Sequence, residues 1–136
     1  MPVSNERMGR LTNQHSVDED ATLAIPDGAK TLLHVKPGPS ITKMKVDIRV
    51  GAGCEVGILS LMDRACMLAI DIRVGAGSTV SSYGLWLDGG EGRMSYELEG
   101  DQAQAHDIQL FIATGEVKLR LDSRLLHIGH GTHGDL

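Results

Sequence analysis

The chain has 136 residues, enough for one domain with its own core, and it carries a net charge of −5 without any basic cluster. That balance excludes a nucleic-acid face, which needs Lys and Arg against phosphate, and the longest apolar stretch, around Ala65–Ile70, is far too short to span a bilayer. The only aromatic residues are Phe111, Trp86, Tyr83 and Tyr96, and 17 glycines imply many tight turns, so the pattern suits a narrow interior filled by Ile, Val, Leu and Ala.

The N-terminus begins Met1-Pro2-Val3-Ser4 and lacks the apolar core of a signal peptide. Residues 1–20 are polar and read as a lead-in or a short cap, with the core domain over 21–136. Two cysteines, Cys54 and Cys66, make no disulfide framework, so a reducing cytoplasm is the expected location.

Along the chain the decisive feature is an internal repeat. Asp-Ile-Arg-Val-Gly-Ala-Gly occurs at Asp47–Gly53 and again at Asp71–Gly77, an offset of 24 residues. Weaker copies lie 23 residues earlier, at Ile25-Pro26-Asp27-Gly28-Ala29, and 26 residues later, at Leu98-Glu99-Gly100-Asp101-Gln102-Ala103. Self-similarity at such a period predicts a solenoid. Within each unit the period is two. Val46, Ile48 and Val50 alternate with Asp47 and Arg49; then come Cys54, Val56 and Ile58, and later Cys66, Leu68, Ile70, Ile72 and Val74. Met94, Tyr96 and Leu98 continue it, as do Ile108, Leu110 and Ile112, and then Val117, Leu119 and Leu121.

No helical stripe follows residue 22. The predicted fold is therefore all-β, a short right-handed parallel β-helix with coils of about 24 residues and Gly-Ala-Gly corners stacked in a column. An antiparallel sandwich is the alternative. The β-helix requires Asp47 beside Asp71 and Arg49 beside Arg73, relieved by diagonal pairs such as Arg49 with Asp71.

Three segments carry a family resemblance: Arg49-Val50-Gly51-Ala52-Gly53, Tyr96–Ala105 with its Leu98-Glu99-Gly100 start, and the ending His127–Leu136. The chain resembles the core domain of SufB and SufD, scaffold subunits of an iron–sulfur cluster assembly system, over roughly residues 25–136. The last segment looks like the family's His-x-x-x-x-Thr-x-Ser-x-Leu pattern, with Gly134 where serine is expected. The resemblance implies a non-enzymatic scaffold that pairs with another β-helix subunit, binds an ABC-type ATPase partner and handles a transient iron–sulfur cluster. The family's cluster-associated cysteine and ATPase-docking helices fall mostly beyond the matched portion. A self-assembling structural β-helix without a metal role is the second reading.

Several residues could carry chemistry. Cys54 and Cys66 are candidate cluster ligands as thiolates, half a coil apart and so placed to face each other across the interior; as apolar positions of the alternation they read first as core. His127, His130 and His133 are the candidate metal cluster, provided the intervening glycines turn the chain, while His34 and His106 stand alone. Gly51-Ala52-Gly53 lacks the continuation of a nucleotide loop, and no serine sits in a nucleophile elbow. Trp86, between Leu85 and Leu87, points outward if the leucines point in, as a contact residue or a satellite packing site. With Leu121, Leu126 and Ile128 it makes up the expected interface, because the C-terminal end of the stack has no evident cap.

Overall fold

A computed structural model describes residues 13–112 and 118–135. Every regular element in it is a strand: β1 (Asn13–Val17), β2 (Ala21–Ile25), β3 (Lys30–Val35), β4 (Lys43–Val50), β5 (Glu55–Met62), β6 (Met67–Val74), β7 (Thr79–Trp86), β8 (Gly90–Leu98), β9 (Gln104–Phe111), β10 (Leu119–His127) and β11 (His133–Asp135). Odd strands form one parallel sheet in the order β1-β3-β5-β7-β9-β11, and even strands form a second in the order β10-β8-β6-β4-β2. Each even–odd pair is one coil of a β-solenoid, as the repeat predicts. Among the described residues, no helix is long and apolar enough to cross a membrane.

The heptapeptides stack in register. Asp47 lies beside Asp71, Ile48 beside Ile72, Arg49 beside Arg73 and Val50 beside Val74. The like charges are relieved differently from the expected Arg49–Asp71 diagonal. Lys45 Nζ reaches Asp71 Oδ2 at 3.9 Å, and Arg73 Nε meets Glu97 Oε2 at 3.5 Å. The weaker copies also stack, with Ile25 beside Val50 and Leu98 beside Val74. The last coil is longer, and Leu98 pairs with His127. Val117, part of the predicted alternation, lies outside the described residues.

The corners form the predicted column. Gly28, Gly53 and Gly77 all have positive φ, between +66° and +76°, and successive corners are tied by Gly28 N–H to the Ala52 carbonyl and Gly53 N–H to the Ala76 carbonyl, both 2.8 Å. A Cβ on Gly75 would come within 2.6 Å of the Gly51 carbonyl oxygen, so close backbone approach fixes glycine there. Between the sheets lies the predicted aliphatic filling, including Val46, Ile48, Ile58, Ile70, Ile72 and Val74. β1 already pairs with β3, so residues 13–17 belong to the stack, and residues 1–12 of the expected lead-in lie outside the described residues.

Two side-chain orientations differ from the sequence reading. Trp86 is fully buried, with Leu85 half-buried and Leu87 exposed. It follows Val80, Ser82 and Gly84 on the inward face of β7. The indole fits because β8 supplies glycines: a Cβ on Gly92 would come within 2.6 Å of it. Trp86 is therefore a core residue and not a contact residue. In β9 the alternation is read in the opposite sense. Register with β7 sets Asp107 beside inward Ser82 and Ile108 beside outward Tyr83. Ile108, Leu110 and Ile112 consequently face solvent at 51–61% exposure, while Ala105 and Asp107 face inward.

Candidate functional site

The stack ends in a polar interior. β9 and β10 form the last pair of long strands, and their inward positions include Asp107 and Gln109, stacked on Ser82 and Gly84 of β7, and Ser123, stacked on Met94 of β8. A hydrogen-bonded chain crosses this end. The Trp86 indole N–H donates to Gln109 Oε1 at 2.8 Å, Gln109 Nε2 donates to Asp107 Oδ1 at 2.6 Å, and Ser123 Oγ lies 3.4 Å from Asp107 Oδ2. It joins the two sheets where the aliphatic core gives out.

Asp107 is 6% exposed, and Tyr96 and Ser82 beside it are fully buried. Burial pushes the Asp107 carboxyl above the ordinary carboxylate range, although its hydrogen bonds with Gln109 and Ser123 offset part of that. Burial and then the Asp107 charge push the Tyr96 hydroxyl well above the usual phenol value. Neither the Tyr96 nor the Ser82 hydroxyl has a partner at full hydrogen-bond geometry, and Ser60, one coil further in, is in the same position. Unpaired buried hydroxyls cost free energy, so this end trades stability for polarity. In the sequence Asp107 stands between His106 and Ile108, where the alternation of Ile108, Leu110 and Ile112 assigned it to solvent.

The cysteines are core residues at separate corners. Cys54 is 1% exposed in the corner between β4 and β5, and Cys66 is 4% exposed in the corner between β5 and β6. The length of β5 separates them, which at about 3.3 Å per residue is roughly 25 Å, so they do not face each other. The Cys54 backbone N–H donates to Ser78 Oγ at 2.9 Å, and its Sγ approaches the Pro26 carbonyl at 3.1 Å. Cys66 Sγ approaches the Ile41 carbonyl at 3.4 Å. Two thiols placed this way do not fit one cluster or one ion.

The histidines split up too. His127 Nδ1 lies 2.6 Å from Thr132 Oγ1, and His130 sits in the corner, its backbone N–H bonded to Asp101 Oδ1 at 3.0 Å. His133 instead approaches His106, ring centroids 6.0 Å apart, with Asp135 between them at 3.1 Å from His106 Nδ1 and 3.5 Å from His133 Nε2. Coil stacking thus gives the isolated His106 a neighbour that sequence spacing conceals. Among the described residues, no group of three or more His, Cys, Asp or Glu side chains is placed to hold a metal ion.

A groove of about 650 Å³ lies on the outer face of the even-strand sheet, lined by Lys45, Asp47, Arg49, Asp71, Arg73 and Glu97 among others. Its two charge signs alternate by row and offer no focused field. The exposed end is more distinctive. Leu110, Phe111, Leu126 and Ile128 are 49–61% exposed around it, and among the described residues no strand pairs with the outer edge of β10. Of the expected interface residues, Leu121 is half-buried on the inward face of β10, and Leu126 and Ile128 are open to solvent. Comparison with family models, curated proteins and solved structures gives no match.

Proposed function

We propose that the chain is a scaffold subunit of a SUF-type iron–sulfur cluster assembly system, acting in the cytoplasm with an ABC-type ATPase partner and without catalysis of its own. One observation carries this reading. The three segments through which the sequence resembles SufB and SufD meet in a single corner column: Gly53 N–H bonds to Ala76, Gly77 N–H to Asp101 and Gln102 N–H to His130. Segments far apart in sequence thereby form one continuous structural feature, which supports a shared architecture over a chance likeness. The cluster is cargo of the assembly. Cys54 and Cys66 do not hold it together, so its ligands come from a partner or from one thiol at a time.

Co-expression with the ATPase subunit of a SUF system, followed by affinity purification through this chain, tests the reading. A stable complex that gains charge-transfer absorption on anaerobic incubation with iron and sulfide is expected. Absence of both the complex and the absorption overturns it. The second reading, a structural β-solenoid that assembles without metal, is favoured by the apolar residues exposed at the C-terminal end.

A further inference from the structure

The two sheets present different outer faces. On the even-strand sheet the outward positions Lys45, Asp47, Arg49, Asp71, Arg73 and Glu97 are charged. On the odd-strand sheet two adjacent rows across β5, β7 and β9 are wholly apolar: Leu59 beside Tyr83 beside Ile108, and Leu61 beside Leu85 beside Leu110. Leu59, Tyr83, Ile108 and Leu110 are 40–61% exposed, and Leu61 and Leu85 are half-buried. All-parallel sheets are normally covered on both faces, and here charge takes the place of a cover on one sheet only. The next row toward the strand starts is Gly57, Ser81 and His106. A hollow of about 430 Å³ opens there, lined by Leu32, Glu55, Gly57 and Ser81 among others.

We propose that this apolar face packs against the same face of a second copy, side by side, about a two-fold axis running along β7. The sheets then stack about 10 Å apart, as aligned sheets do. β5 of each copy lies over β9 of the other. Leu59 and Leu61 meet Ile108 and Leu110 of the second copy, and the two Tyr83 side chains meet near the axis. His106 of the second copy comes over Gly57, where the hollow receives its ring. Glu55 comes over Gln104 of the second copy, so like charges do not oppose there. An axis across the strands would instead stack β5 on β5, turn Glu55 toward Asp63 of the second copy and leave the hollow without a ring to fill it. Shape and charge therefore select one arrangement, in which every contact occurs twice.

The size of the face fits that occupant. Its six apolar side chains expose on the order of 500 Å², given roughly 200 Å² for a large apolar side chain. One side of a standard interface buries about 800 Å², of which roughly 60% is apolar. A membrane suits the face less, because the net charge is −5 and neither apolar row holds a Lys or Arg on these three strands. The pairing uses none of Leu121, Leu126 and Ile128 and leaves the C-terminal end of the stack open. This inference does not rest on the scaffold reading: it needs only the uncovered face.

Sedimentation velocity on the full chain across the micromolar range is the test. The wild type should be a dimer. Leu59→Lys alone and Ile108→Glu alone should each weaken it about tenfold or more, because each sets a charge against an aliphatic side chain twice. Mixed in equal amounts, the two variants should associate more tightly than either does alone, since the mixed pair holds one Lys–Glu contact and one intact Leu59–Ile108 contact. Leu126→Asp, outside the face, should leave the dimer unchanged. A wild-type monomer overturns the proposal, whether its face stays bare or takes up phosphatidylcholine vesicles. So does a mixture no tighter than the single variants, or a dimer weakened by Leu126→Asp and not by Leu59→Lys. If a charge variant fails to fold, Tyr83→Cys decides. The native thiols are buried, so a short bismaleimide should join two Y83C chains and leave D47C, on the charged face, unlinked. A Y83C chain that stays unlinked counts against the arrangement.

Discussion

Asp47 of β4 and Asp71 of β6 stand side by side on the outer face, two identical carboxylates on neighbouring parallel strands. Directly opposed like charges are unfavourable, and among the described residues Asp71 alone of the two has a cation at ion-pair distance, Lys45. Asp47→Asn should therefore raise stability by about 0.3 kcal/mol, whereas Asp71→Asn, which also removes the Lys45 pair, should change it less. Urea unfolding of both variants at low ionic strength checks the ordering.

The left-handed corner position passes from Gly77 to Gln102, whose φ is +62°. A side chain there costs about 1–2 kcal/mol, which exceeds the extra backbone entropy that glycine loses on folding. Gln102→Gly should stabilise the fold by roughly 0.5–1 kcal/mol, measured by thermal or urea denaturation.

Trp86 fills the interior against Gly92 and holds Gln109 through its indole N–H. Trp86→Phe should cost about 1–3 kcal/mol, because the Gln109 carbonyl loses its donor. Trp86→Ala should cost about 3–5 kcal/mol by leaving a cavity. Had Trp86 been a surface contact residue, both variants would unfold like the wild type in denaturant titrations.

Asp107 sets an acid-range pH dependence of unusual sign. Its folded pKa is raised, so the native state holds a proton that the unfolded chain has released. Its contribution is fully present below the ordinary aspartate pKa and is lost as pH rises through the folded value. Asp107→Asn keeps an amide oxygen for Gln109 Nε2 and cannot titrate. Comparing unfolding free energies of the two proteins between pH 3 and pH 7 should show the variant gaining relative to wild type as pH rises; a constant difference would refute the assignment.

The coil was legible because a solenoid repeats one local problem. Each turn must place alternate aliphatic residues between two sheets and then bend where a side chain cannot fit. The two Asp-Ile-Arg-Val-Gly-Ala-Gly segments state both halves of that problem, and their stacking follows from identity at a fixed offset. Buried Cys54 and Cys66 were legible as apolar positions for the same reason.

The last coil was not legible, and neither was the site. In β9 the apolar residues mark the outer face, because parallel register with β7, set by the coils below, outweighs the strand's own alternation. Trp86 points inward because glycines of another strand, Gly90 and Gly92, leave room for its ring. His106 meets His133, while His127 and His130 turn away, since neighbours in a solenoid are a coil apart and not three residues apart. The period, the corners and the aliphatic filling are written in the local pattern of residues. Which face of the final strands is inside, and how Asp107, Gln109, Trp86 and Ser123 come together, follows from register between strands, which the local pattern does not encode.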